Sequence, residues 1–283
     1  MKNHILTAAL LLASPVLADE EVPPDLPVSG EEEAIPDLKV VEAPMDPVAE
    51  LIAQAGSPYI DEDIAQQRFD QIVAMGASAL PTLASTFRDG KASDFEAWVA
   101  ARAMGRIGGD GAMNTLIGGL ESPRIILRLG AVSGLELLGD RRAVEPLQRA
   151  LFDKAMTVRA SAADALATLG DRASSKSLVE ALNLPGNFHQ GQSFFVRHHI
   201  IMALGKIGSI AGIAALMAVL DESDPDLQLL ATRSLTEITG MSFRDNNLGS
   251  TAPPTEAELE SWRQWWAKRE AADRIEQRTI ESK

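Results

Sequence analysis

The sequence predicts an all-α fold: an α-solenoid of about 5–6 stacked antiparallel helix pairs, closed by a C-terminal Trp-bearing capping helix. Three observations predict it. Ile107-Gly108, Leu138-Gly139, Leu169-Gly170 and Ile207-Gly208 recur, with Ile238-Thr239-Gly240 as a slipped copy. The glycines at 108, 139 and 170 are 31 residues apart, and the next step is 38, or 31 plus an insertion of 7. Apolar residues between these marks follow helical rows, which a stack of helix pairs sharing one core requires.

Taken in chain order, the first element is not repeat. Lys2, an apolar run from Ile5 to Ala13, and Val16 and Ala18 ahead of Asp19-Glu20-Glu21 fit a cleaved signal peptide over 1–18. The apolar run is about half the roughly 20 residues a spanning helix needs, so no integral membrane segment is expected after cleavage. The chain has no cysteine, hence no disulfide framework and no thiolate chemistry. An exported, cysteine-free chain fits a bacterial protein that is periplasmic or secreted.

Residues 19–45 read as an acidic, Pro-rich disordered linker. The net charge of −14 concentrates here: Asp19 to Glu50 holds eleven acids and one base, Lys39. Without a basic footprint elsewhere, nucleic acid is not expected as a partner.

The solenoid is expected over 46–250, with an N-terminal cap at about 46–74. In the unit Ala143 to Gly170, Ala143, Leu147 and Leu151 form one helical stripe and Val158, Ala162, Leu166 and Leu169 a second. Gly170 ends the second helix, and Asp171, like Asp140 and Ser209, is placed to cap the next. The frame repeats. Leu116, Leu147, Leu178 and Leu216 share a slot in the first helices; Met104, Leu135, Leu166, Leu204 and Leu235 share one in the second. Ala100, Ala131, Ala162, Ile200 and Ala231 lie four residues earlier, where mostly small side chains allow close helix packing. An arginine opens the second helices at Arg128, Arg159 and Arg197, and is expected to tie its turn to the neighbouring repeat rather than to bind an anion.

Helix, Asp-containing turn, Val-Arg, an Ala–Leu stripe and Leu-Gly-Asp together resemble HEAT repeats, and are most similar to the short HEAT-like type of the phycobilisome lyases. The resemblance covers roughly 65–240. It implies that the second helices line the concave face and that such arrays serve mostly as interaction scaffolds. Arg102, Ser133, Asp164, Met202 and Arg233 would then face outward there, as would Arg106, Leu137, Thr168, Lys206 and Glu237.

The break in period falls at 183–195, a loop bearing Phe188, Phe194 and Phe195. Insertions in repeat arrays often carry binding. His189, His198 and His199 are close in sequence, but adjacent helical residues point about 100° apart, and the His-Glu steps of HEAT-like iron hydroxylases do not occur here. No metal and no cofactor are expected. Past Gly240, Thr255 and Glu258 fit a capping box that opens a last helix carrying Leu259, Trp262, Trp265 and Trp266, so 251–283 reads as capping helix and charged tail.

With no Ser-His-Asp arrangement, phosphate loop or metal motif, the expected function is a non-enzymatic periplasmic scaffold, a monomer that binds another protein. The candidate residues are Arg102, Arg106, Lys206 and Arg233 on the concave helices, with His189, Phe194, Phe195 and His198 at the loop. The alternatives are an enzyme-associated or cofactor-handling protein like the bilin lyases, or a cell-wall ligand binder using the tryptophans.

Overall fold

The computed structural model describes residues 46–57, 59–190, 192–245 and 249–281, the side chains of Gln192 and 273–281 excepted. The expected signal peptide and the linker of 19–45 lie outside the described residues.

The described residues fold as six helix pairs and a closing helix. The first pair is α1 (Pro47–Ala55) and α2 (Glu62–Ala74); the second is α3 (Leu80–Arg88) and α4 (Asp94–Ile107). Then follow α5 (Asp110–Gly119) with α6 (Ile125–Leu138), and α7 (Val144–Ala150) with α8 (Met156–Leu169). The last pairs are α9 (Ser175–Leu182) with α10 (Phe195–Ile207), and α11 (Ile213–Val219) with α12 (Pro225–Thr239). Helix α13 spans Glu256–Glu281.

The repeat slots are the core. Leu116, Leu147, Leu178 and Leu216 are fully buried, as are Met104, Leu135, Leu166, Leu204 and Leu235. Gly139, Gly170, Gly208 and Gly240 close their helices with φ between 66° and 72°, in the left-handed region where the lack of a Cβ matters. Asp140 and Ser209 accept the expected capping bonds from Arg142 N and Ala211 N. Asp171 departs from this: its carboxylate takes Arg141 and the Ser174 hydroxyl instead.

The second helices form the tighter layer. A Cβ on Gly105 of α4 would stand 2.3 Å from the Gly134 carbonyl oxygen of α6. On α10, one on Gly205 would stand 2.8 Å from Ser234 Cα of α12. Neighbouring second helices pack on one another more extensively than neighbouring first helices do, as expected if they form the inner, concave layer of the stack.

The arginines clamp successive repeats. Arg128 pairs bidentately with Asp153 at 2.7 and 2.9 Å and donates to Ser122 O. Arg197, with no exposed surface, pairs with Glu222 at 2.6 and 2.7 Å and donates to Leu182 O. Arg159 makes the same reach but meets the neutral Asn187, at 2.9 Å, and Gly186 O. Without a carboxylate in direct contact, burial holds Arg159 below the usual guanidinium range, and Asp153 only partly opposes this.

Helix α13 opens with Thr255 Oγ1 accepting from Glu258 N. The Glu258 side chain is buried and lies 3.6 Å from Arg244 Nη1, so it serves that ion pair where a capping box was expected. Trp262 is fully buried, edge-on to Phe243 at 4.8 Å and to Trp265 at 5.6 Å. Covering the last apolar face is what a solenoid end requires.

The face assignment can be measured. Leu166→Ala should cost about 2–5 kcal/mol as a buried truncation. Asp164→Ala should cost under about 1 kcal/mol, as loss of a largely exposed pair. Urea denaturation of the two variants checks this; equal costs contradict it.

Candidate functional site

The concave face is the candidate site, built from the outward rows of α4, α6, α8, α10 and α12. At its N-terminal end Arg102 donates to Ser133 Oγ at 2.8 Å, across one repeat. Its guanidinium lies 5.8 Å from the Trp98 ring centroid, and burial holds its pKa below the usual range. Arg106 is exposed one turn on. Farther along, Thr168 donates to Glu136 and accepts from Lys206 at 3.4 Å.

At the C-terminal end the face opens into a groove of about 540 Å³ between α10 and α12, lined by Met202, Lys206, Leu230, Arg233, Ser234 and Glu237. Met202 is 42% exposed and, with Phe195 at 43%, gives α10 an apolar edge. Arg233 is exposed and donates to Ser250 O.

The insertion is partly ordered into regular structure. After a short 3-10 turn at Pro185–Asn187, strands β1 (Phe188–His189) and β2 (Gln192–Ser193) pair antiparallel. This small hairpin is the one departure from the expected all-helical array among the described residues. Fully buried Asn187 anchors it, accepting from Arg159 and donating to Ala181 O at 2.8 Å. Phe188 lies 4.5 Å under the Arg197 guanidinium.

The expected site residues therefore separate. Exposed His189 stacks with Phe194 on the hairpin, at 6.1 Å between ring centroids. Phe195 begins α10, edge-on to His199 at 5.9 Å. His198 is half-buried, and its Nδ1 atom is enclosed without a hydrogen-bond partner. Lys206 and Arg233 share the α10–α12 groove, whereas Arg102 and Arg106 lie on α4 at the far end of the face. Among the described residues no three His, Asp or Glu side chains are grouped as a metal requires. No described helix is long and apolar enough to cross a membrane.

Sequence reasoning missed one pair. His199 Nδ1 lies 2.8 and 3.0 Å from the carboxylate oxygens of Asp164 on α8. The hydrogen bond to Asp164 raises the imidazole above its ordinary pKa of 6.5, against the opposing effect of burial. A raised folded-state pKa means the pair's contribution is fully present at pH below the unfolded value and is lost as pH rises through the folded one. An NMR titration should place the His199 midpoint above that of a model imidazole, and Asp164→Asn should bring it back. An unchanged midpoint in the variant contradicts the pairing.

Comparison with known proteins follows this geometry. Residues 113–187 match the family model of HEAT repeats, and 196–222 that of the PBS lyase HEAT-like repeat. Within the array, these two stretches are similar to HEAT repeats. A 140-residue stretch is 31% identical to phycocyanobilin lyase subunit alpha from Picosynechococcus sp.; it covers 50% of this chain and 42% of that protein, so the match spans less than half the relative's length. A designed armadillo repeat protein in complex with a (KR)4 peptide covers 68% of this chain and 99% of its own, at 20% identity and a TM-score of 0.43. The complex of CpcE and CpcF of phycocyanin lyase from Nostoc sp. PCC7120 covers 77% and 95%, at 20% identity and a TM-score of 0.30.

The sequence relative corrects one expectation. The absence of a catalytic motif pointed away from an enzyme, yet the relative is a subunit of a lyase. Function resides in sites and not in folds or short motifs alone, so a search for compact motifs does not test for a role in catalysis.

Proposed function

We propose that this HEAT array is a scaffold that holds another protein on its concave face, with the α10–α12 groove as the principal contact. The observation that carries it is the groove itself: exposed Met202 and half-buried Leu230 are bordered by Lys206, Arg233 and Glu237 on a face built by the closely packed second helices. A mixed apolar and charged concavity is the usual form of a protein-binding surface in repeat arrays. The hairpin strands lie just before α10 and leave His189 exposed. Co-purification from native extract with wild type and with the double variant Met202→Glu/Arg233→Glu tests this. Loss of a wild-type partner supports the groove, and an unchanged partner set overturns it.

The lyase relative favours a second reading, in which the scaffold is a subunit of an enzyme acting on phycocyanobilin. Absorbance spectra of the purified protein with added phycocyanobilin test it: a stoichiometric band shift supports this reading, and a spectrum equal to that of free pigment opposes it.

Export is proposed as well, on the apolar run Ile5–Ala13 and the small residues before Asp19. The mature protein should then begin at Asp19 by N-terminal sequencing and fractionate with the periplasm or medium.

A further inference from the structure

Helix α10 carries a row of side chains at 195, 199, 202 and 206, spaced i, i+4, i+7 and i+11. Phe195 and Met202 are two of the few large apolar side chains that stand exposed, and His199 and Lys206 alternate with them. Across the groove, α12 offers Leu230 as apolar floor and Arg233 as a second cation. A row with this spacing matches the ridge of another helix laid along it, with apolar anchors at i, i+3 or i+4, and i+7. An extended strand, with its period of two, would not keep the register.

Charge sets the kind of helix. The chain as a whole carries −14, yet the outward positions of the second helices hold Arg102, Arg106, Lys206 and Arg233 against Glu136, Asp164 and Glu237. Asp164 is engaged by His199, and Glu136 by Thr168. The groove lining sets Lys206 and Arg233 against Glu237, while His199, on the α8 side of the row, is paired with Asp164. The charged or titratable groups facing this stretch are Asp164 from α8, His198 and Lys206 from α10, and Arg233 and Glu237 from α12.

We propose that the α10–α12 groove docks an acidic amphipathic helix of the partner protein, its apolar side on Phe195, Met202 and Leu230 and its carboxylates toward His199, Lys206 and Arg233. This rests on the concave-face reading above and names the partner's chemistry. Complementary charge mainly sets specificity and association rate, while the apolar anchors hold the complex. Protonated His199 offsets the Asp164 carboxylate beside the groove and makes this stretch less acidic, so binding weakens as pH rises through its titration.

A phage library of randomised 20-residue helical peptides, selected on the full chain, tests it. Selected peptides should carry apolar residues at i, i+3 or i+4, and i+7 with Asp or Glu on the flanks. A synthetic copy should bind Met202→Glu/Arg233→Glu at least about tenfold more weakly than wild type. Its affinity should fall from pH 6 to pH 8 for wild type, and change little for His199→Gln. Enriched peptides that are basic or extended, or a library yielding no binders, overturn the proposal. Peptides that bind the double variant as well as wild type overturn the concave-face reading itself. Groove-dependent peptides without acids leave that reading intact and overturn only the acidic partner.

Discussion

Trp262→Ala should lower stability by about 3–5 kcal/mol, the usual cost of deleting a large buried aromatic. The ring has no exposed surface and packs edge-on between Phe243 and Trp265. Without it the last apolar face of the array, at α11 and α12, is left uncovered, and the cost includes that re-exposed surface as well as the lost ring. Trp262→Phe should cost far less, since it keeps an aromatic and removes an indole N–H that is enclosed without a partner. Urea denaturation measures both. The same burial bears on a role for the tryptophans in binding glycans: Trp262 is out of reach and Trp265 and Trp266 are half-buried, so emission should be blue-shifted and insensitive to cell-wall fragments. A loss of under about 1 kcal/mol for the alanine variant would show that α13 is not a structural cap.

Arg197→Met should cost about 3–5 kcal/mol, as expected when one member of a buried ion pair is removed. Glu222 keeps access to water, with its side chain 35% exposed, which places the effect toward the lower end of that range. The substitution also removes the bond to Ser193 Oγ and the cation over Phe188, two of the ties that hold the hairpin to the array. Hydrogen exchange over 187–197 should therefore quicken more than global stability alone explains. An unchanged exchange pattern there would mean that Asn187 anchors the hairpin without help.

Much of this fold was legible because a repeat states each rule five times. Leu147 alone is one apolar residue; with Leu116, Leu178 and Leu216 in the same slot it marks a buried row, and all four are buried. Arg128, Arg159 and Arg197 were legible for the same reason, as ties between neighbouring repeats. The hairpin was not. Its three phenylalanines drew attention, but the anchor is Asn187, an ordinary loop residue in sequence whose role depends on Arg159 arriving from 28 positions away. The Asp164–His199 pair was hidden by the insertion. Their separation of 35 is one period lengthened by the break and shortened by about one helical turn, which matches no repeat spacing. Site residues on the concave face were legible as a row but not as a groove, because Leu230 and Glu237 meet Met202 and Lys206 only when α12 closes on α10 at Gly205.

The concave layer, and the α10–α12 groove in it, is the proposed seat of the partner. Photo-crosslinking tests it most directly, with a benzophenone amino acid placed at Met202 on the concave face or at Lys176, exposed on the outer helix α9. A discrete crosslinked partner is expected from position 202 and none from 176 in cells expressing the full chain. The same partner captured from 176, or from both positions alike, would contradict it.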